Sequence, residues 1–183
     1  METRPEDERS SDMKKTIFVL AAVLMAALAA GCSGSEPEAE KQKVNIIDPC
    51  ELISKTEVEQ LIGEPMKDPQ KRDNRVVGQK LCIYESAKDD SFRFFQISLT
   101  QQAFMPPKGQ SPKSIYESLK ANFPDAARVE GIGDDAFIAP PGLHIIKGGC
   151  YITIGVGNSN DPKNREIIKA SGEKAVENLL KLR

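Results

Sequence analysis

The sequence predicts an α+β domain in which a curved antiparallel sheet is covered by helices. Within residues 92–100, Phe95, Ile97 and Leu99 alternate with polar partners, as in a half-buried strand. Four short apolar runs follow near 127–130, 135–139, 143–147 and 150–156, and the glycine- and proline-rich turns between them are typical of an antiparallel meander. Amphipathic stretches with helix-start signals lie before, between and after these strands, so helices are expected to cover the sheet.

The first helical region opens at the sequence Asp48-Pro49-Cys50. Ser54 and Glu57 have the spacing of a capping box, in which each side chain bonds the other residue's backbone amide. A helix is therefore predicted to begin after Ser54. Gly63 follows its last apolar residues and predicts its end, because glycine adopts the left-handed conformation that closes many helices.

The polar run at 67–75 is expected to be a solvated loop. Strands are predicted at 81–85 and 92–100, joined by a polar hairpin loop. Ser111-Pro112 begins the next helix, since proline is favoured at the first helical position, and Pro124 stops it.

The last helix is predicted to begin at Asp161-Pro162 and to run to the end of the chain. One of its faces is apolar and the others carry charges, which is typical of a helix packed on a core. Gly172 on the apolar face is expected to allow close packing on the sheet. The residues predicted to form this face are Ile168, Gly172, Ala175, Leu179 and Leu182.

The segment before residue 33 has the pattern of a lipoprotein signal peptide. Lys14 and Lys15 give it a positive start, and the apolar run that follows over 17–30 is too short for a typical membrane span. Small residues then precede Cys32, which looks like a lipobox cysteine whose thiol receives a diacylglyceryl group. Leu28 lies four residues before Cys32, whereas the usual lipobox leucine lies three before. The alternative interpretation is an N-terminal transmembrane anchor with an incidental cysteine.

These features predict four segments. Residues 1–12 are acidic and polar, unlike the start of a signal peptide, and are interpreted as a mis-called start. Residues 13–31 are the expected signal peptide, 32–43 a flexible tether of small and charged residues, and 44–183 a single α+β globular domain. The protein is then expected at the cell membrane or outer membrane, facing the periplasm or exterior, because two or more acyl chains anchor a protein stably.

Composition argues against a nucleic-acid partner. The chain of 183 residues has a formal net charge of -2, whereas nucleic-acid binders usually carry a basic face. It has no tryptophan and a single histidine, His144. A metal site built from several histidines is therefore impossible within one chain, and neither a metal nor a cofactor is expected.

Three cysteines remain in the expected mature chain besides Cys32, so three disulfide pairings are open. An exported protein meets an oxidising compartment, which makes one disulfide expected. We favour Cys50–Cys82, which ties the first helix to the first clear strand. Cys150 shares a strand face with apolar residues and is expected to be a buried thiol.

The stretch GIGDDAF, residues 131–137, is the strongest candidate for chemistry, but its spacing favours a turn. Asp134 and Asp135 are consecutive, so on a strand they point to opposite faces and form a poor acid–base pair. Gly131 and Gly133 supply the backbone angles of a strand connection, and Asp134 is expected to accept hydrogen bonds from turn amides. These three residues are predicted to stabilise the turn, and no catalytic residue is assigned.

Four stretches resemble, in their order, a family of bacterial lipoproteins best known from actinobacteria. The family pattern has a lipobox, a tether, D-P-C before a helix, a C-x-W/Y strand and a G-x-G-D-x-A turn. The resemblance implies a disulfide between Cys50 and Cys82, and some related lipoproteins have a PsbP-like fold, an antiparallel sheet between helices. It implies no catalytic residue, because the family has no established enzyme activity. The matching stretches are 48–63, 81–85, 129–137 and 143–156.

The expected function is a lipid-anchored extracytoplasmic binding or interaction module of the cell envelope, not an enzyme. Its partners would be the membrane, through acyl chains on Cys32, and an envelope protein or a small apolar ligand. The alternative is an envelope or cell-wall hydrolase that uses His144 with a carboxylate. That alternative requires His144 and an aspartate or glutamate to meet in a pocket.

Overall fold

The computed structural model describes residues 45–183. The predictions for the signal peptide, Cys32 and the tether therefore lie outside the described residues. The helices are α1 (Pro49–Leu52), α2 (Lys55–Ile62), α3 (Pro112–Ala121) and α4 (Pro162–Lys181). The strands are β1 (Gln70–Asn74), β2 (Gln79–Glu85), β3 (Phe94–Thr100), β4 (Ala127–Arg128), β5 (Asp135–Ala139), β6 (Gly142–Lys147) and β7 (Cys150–Gly155).

The strands form one seven-stranded antiparallel sheet in the order β1-β2-β3-β7-β6-β5-β4. The hairpin β2–β3 and the meander β4–β7 are joined by the pairing of β3 with β7, in which Ser98 lies opposite Thr153. The α+β class with an antiparallel sheet and covering helices is confirmed. Apart from β1, the helices and strands also follow the predicted order along the chain.

The expectation that 67–75 is a loop is wrong for most of its length, because β1 occupies Gln70–Asn74. This strand pairs with β2 at the edge of the sheet, with Arg72 opposite Leu81. All five of its side chains are exposed and polar, so the sequence shows no apolar alternation there. Charged side chains are common on edge strands, where they discourage pairing with other chains.

Local hydrogen bonds determine the start of α2, as its sequence predicts. The Ser54 hydroxyl accepts from the Glu57 amide at 3.4 Å, and the Glu57 carboxylate accepts from the Ser54 amide at 2.8 Å. Gly63 ends the helix with a φ of 81°. The capping box and the glycine end are confirmed, and α2 packs against α4.

The main core lies on the sheet face covered by α1, α2 and α4. Gly172 of α4 lies so close to the sheet that a Cβ atom there would stand 2.6 Å from Leu143 Cδ2. This confirms the predicted close approach. The most deeply buried members of this core include Leu52, Ile53, Val58, Phe95, Ile97, Leu99, Leu143, Ile145, Ile152, Ile154, Ala175 and Leu179.

The opposite face of the sheet has only partial helix cover. Helix α3 packs there on β6 and β7. Beneath it lies a smaller cluster that includes Tyr116, Phe137, Ile146 and Tyr151. This face therefore holds both a small aromatic core and a region beside it that remains accessible.

Candidate functional site

The turn at 131–134 has the backbone geometry that its glycines predict. Gly131 and Gly133 have φ values of 79° and 70°, in the left-handed region. A Cβ atom on Gly133 would stand 2.5 Å from Ile145 Cγ2 and 2.7 Å from the Ile146 carbonyl oxygen. Position 133 thus requires glycine for two reasons. Its φ is left-handed, and any Cβ atom there would collide with β6.

Asp134 links this turn to the next hairpin. Its carboxylate accepts from Lys147 Nζ and from the Gly148 amide, each at 2.8 Å. The amide belongs to the β6–β7 turn and not to the turn that contains Asp134. The hydrogen bond from Lys147 and that from Gly148 hold the pKa of Asp134 below its usual value.

Asp135 points elsewhere, towards α3. Its Oδ2 accepts from the Tyr116 hydroxyl at 2.9 Å and also bonds the Lys120 ammonium group. Partial burial opposes ionisation of Asp135, but the bonds from Lys120 and Tyr116 outweigh it and lower its pKa. The two consecutive aspartates therefore serve different contacts and do not form an acid–base pair.

His144 is buried under α3, with 1% of its surface exposed. Its Nε2 lies 3.1 Å from the Ala139 carbonyl oxygen, and its Nδ1 lies 2.7 Å from the Tyr151 hydroxyl. Because a carbonyl can only accept, Nε2 carries the proton and Nδ1 accepts from Tyr151. The ring also stacks on Phe137 with centroids 4.8 Å apart.

The contacts of His144 are those of a packed, neutral imidazole. Burial lowers its pKa, and both ring nitrogens already have partners. Its hydrogen-bond partners are Tyr151 and Ala139, and no carboxylate among residues 45–183 bonds it. The geometry needed for a hydrolase that uses His144 with a carboxylate is not present in these contacts.

The structure joins Cys50 and Cys82 in a disulfide with a Cα–Cα distance of 5.4 Å. The bond ties α1 to β2, and it is the pairing favoured among the three. Cys150 is a buried thiol within the main core, and burial raises its pKa. A raised pKa keeps the thiol protonated and unreactive, as expected of a cysteine that acts as a small apolar side chain.

Two kinds of feature are not found in the described part of the chain. Residues 45–183 contain no cluster of three or more histidine, cysteine, aspartate or glutamate side chains able to hold a metal ion. Within the same range no helix has both the length and the apolar character needed to cross a membrane.

One surface pocket of about 340 Å³ lies beside α3. Its lining includes the aromatic residues Phe123 and Phe137 and the basic residues Lys120 and Arg128. Lys120 already bonds Asp135, which leaves Arg128 as the basic group with the clearest access to solvent. The pocket has ligand size but a limited set of polar groups with which to orient a ligand.

A second accessible region lies on the part of the sheet that α3 leaves uncovered. The register places Ile83 opposite Gln96, and Leu81 and Phe94 share their face. All four side chains are partly or fully exposed, and Phe92 in the preceding loop is 96% exposed. We call Leu81, Ile83, Phe92, Phe94 and Gln96 the open strip.

The open strip ends in a pocket of about 440 Å³. Ile83, Phe92 and Phe94 supply its apolar surface, while Lys67 and Glu85 are among the charged residues around it. An apolar centre with a rim of both charges is the usual composition of a protein-binding surface. The open strip and this pocket form the candidate binding site.

The sequence signals for this site were weak. The alternation in 92–100 predicted a half-buried strand, but not which face would lack a helix. Phe94 faces the opposite side of that strand from the alternating apolar residues, and Phe92 precedes the strand, so the alternation does not account for either of them. Comparison with protein-family models, with curated proteins and with solved structures finds no match. The resemblance to bacterial lipoproteins and the PsbP-like fold therefore stay predictions.

Proposed function

We propose that this protein is a lipid-anchored, extracytoplasmic binding module of the bacterial cell envelope, and that the open strip binds a partner protein. Anchoring is supported by the signal-peptide pattern of 13–31 and by Cys32 at its end. The Cys50–Cys82 disulfide is compatible with an oxidising compartment outside the cytoplasm.

The observation that carries the binding role is the exposure of Phe92 and Phe94 beside partly exposed Leu81 and Ile83. Burial of an aromatic side chain releases water from a large apolar area, and aromatic residues are enriched at the centres of protein interfaces. Half of the residues that line the pocket at the end of the strip are charged, which suits a protein surface better than a small apolar ligand.

Site-specific photocrosslinking tests this role. A photoreactive phenylalanine replaces Phe92 in the full chain, and the matched control carries it at Val76, which is also exposed but precedes β2 instead of following it. The proposal predicts one discrete crosslinked partner from Phe92 in intact envelopes and none from Val76. Phe94→Asp in the Phe92 reporter should abolish that product.

Two outcomes would contradict the binding role. Equal crosslinking from both positions would indicate contact by crowding and not by a defined site. The absence of any product at Phe92, together with native mass spectrometry that detects no copurified small molecule, would remove the support for a binding module.

A further inference from the structure

The exposed apolar side chains of the described chain lie at two opposite ends of the sheet. Phe94 begins β3 opposite Glu85, the last residue of β2, whereas Val76 precedes the first residue of β2. Seven residues of β2 separate these ends by at least about 20 Å. We call the end with Phe92 and Phe94 the far end. We call the end with Ile46, Val76 and Leu180 the entry end.

The chain enters the globular domain at the end of the sheet that carries Val76. The Gln101 side chain bonds both the amide and the carbonyl of Ile47, at 2.9 and 2.7 Å. The Gln101 amide in turn donates to the Gly78 carbonyl, two residues from Val76. Asn45 is held to the same end by a hydrogen bond from its side chain to the Leu182 carbonyl. Ile46 and Val76 are thereby fixed on one side of the molecule.

We infer that the entry end rests on the lipid surface, with Val76 and Ile46 in contact with the membrane interface and the open strip facing away from it. This inference depends on the proposed anchor at Cys32. Thirteen residues of chain lead from Cys32 to Asn45, and at full extension they span at most about 45 Å. The anchor therefore keeps the entry end near the bilayer. The entry end then has a high effective concentration at the lipid surface, so even weak contacts with lipid are formed much of the time.

The chemistry of the entry end suits a bilayer surface. Val76 is 78% exposed and Ile46 45% exposed, so both can leave water at the interface without any rearrangement of the fold. Arg75, next to Val76, lies over the Phe104 ring with 4.8 Å from its guanidinium carbon to the ring centre. An arginine packed in this way covers apolar surface while its charge remains available to anionic headgroups.

Single-tryptophan reporters test the orientation, since the chain has no tryptophan of its own. The full lipidated chain is placed in vesicles of phosphatidylcholine and phosphatidylglycerol with or without brominated acyl chains. Val76→Trp reports the entry end, and Phe92→Trp is the matched control at the far end. Both positions are exposed, so neither change disturbs the core.

The inference predicts that brominated lipid quenches the emission of Val76→Trp and that its spectrum shifts to the blue, while Phe92→Trp is unaffected. Quenching of Phe92→Trp, quenching of both reporters to the same extent, or quenching of neither would overturn it. Flotation of the same samples reports the anchor separately. If the natural chain does not float, coupling Cys32 to a maleimide lipid restores attachment, and the same three outcomes still decide the orientation.

Discussion

At the scale of single residues, His144 gives the protein a specific pH dependence. Burial lowers its pKa below the ordinary value of 6.5, so the unfolded chain binds a proton there at a pH where the native state does not. The stability contribution is complete above about pH 6.5 and falls as the pH drops through that value. We expect the free energy of unfolding to decrease as the pH falls below about 6.5, by at most about 1.4 kcal/mol per pH unit.

The control for this prediction is His144→Gln, because glutamine cannot titrate and its amide can still accept from Tyr151 and donate to Ala139. Urea denaturation at several pH values should give a flatter dependence for this variant. His144 is the only histidine, so few other side chains titrate in this range. Equal slopes for the two proteins would show that folding does not shift the pKa of His144.

Asp134 should contribute to stability through its bonds to Lys147 and Gly148. We expect Asp134→Ala to lower the free energy of unfolding by about 1 kcal/mol, since the bonds from Lys147 and Gly148 are lost at an exposed position, where each contributes little. Asp134→Asn retains an acceptor for the Gly148 amide and should lose less. A denaturant midpoint unchanged in both variants would be inconsistent with this role.

The sequence predicts the contacts of single residues when both partners are close in the chain, but not when they are far apart. Capping at Ser54 and the left-handed glycines followed from local rules, because the residues concerned are near neighbours in the chain. The partner of Asp134 is 14 residues away, and the carboxylate reaches it only after β5 and β6 pair. Such contacts depend on strand register, which the local pattern does not specify.

At the scale of elements, the disulfide connects α1 to β2. It closes a segment of sequence separation 32, for which the chain-entropy model gives roughly 3–4 kcal/mol of stabilisation. Replacing Cys50 and Cys82 by serine should lower the free energy of unfolding by that amount. Cys150→Ala is the control, with a smaller loss and an unchanged response to reducing agent.

This prediction has a second measurement in the same samples. Reduction should destabilise the wild type and Cys150→Ala alike, and should have no effect on the variant that lacks Cys50 and Cys82. If reduction left the wild type unchanged, the covalent link would not contribute to its stability.

Helix α4 provides a test of packing at Gly172. Glycine to alanine in an exposed helix usually stabilises by up to about 1 kcal/mol, but here the new Cβ would meet Leu143 Cδ2. We expect Gly172→Ala to destabilise the protein by about 1–3 kcal/mol, as overpacking does. Adding Leu143→Val should recover part of the lost stability. If the stability changes of the two substitutions were strictly additive, the contact between positions 172 and 143 would be contradicted.

Element prediction succeeded where the periodicity was strong and failed where it was missing. The 20 residues of α4 carry a clear apolar stripe, and the meander is divided by its turns. Strand β1 gave no such signal, because both of its faces are polar and exposed. It forms a strand through backbone pairing with β2, which a local pattern cannot reveal.

At the scale of the whole molecule, the pairing of β3 with β7 creates one sheet from two strand groups. These strands are about 50 residues apart in sequence, so no local signal predicts which of them meet. The same pairing determines where α3 packs and which part of that face stays open. The open strip is thus a consequence of topology, and this explains why the sequence indicated a binding module without indicating its surface.

The most direct test of the proposed lipid-anchored module is intact-mass spectrometry of the protein purified from membranes, followed by peptide mapping. We predict that the mature chain begins at Cys32 and that this residue carries a diacylglyceryl group, with or without a further acyl chain. Recovery of a chain that retains 13–31, or one that begins near Cys32 without lipid, would contradict the account.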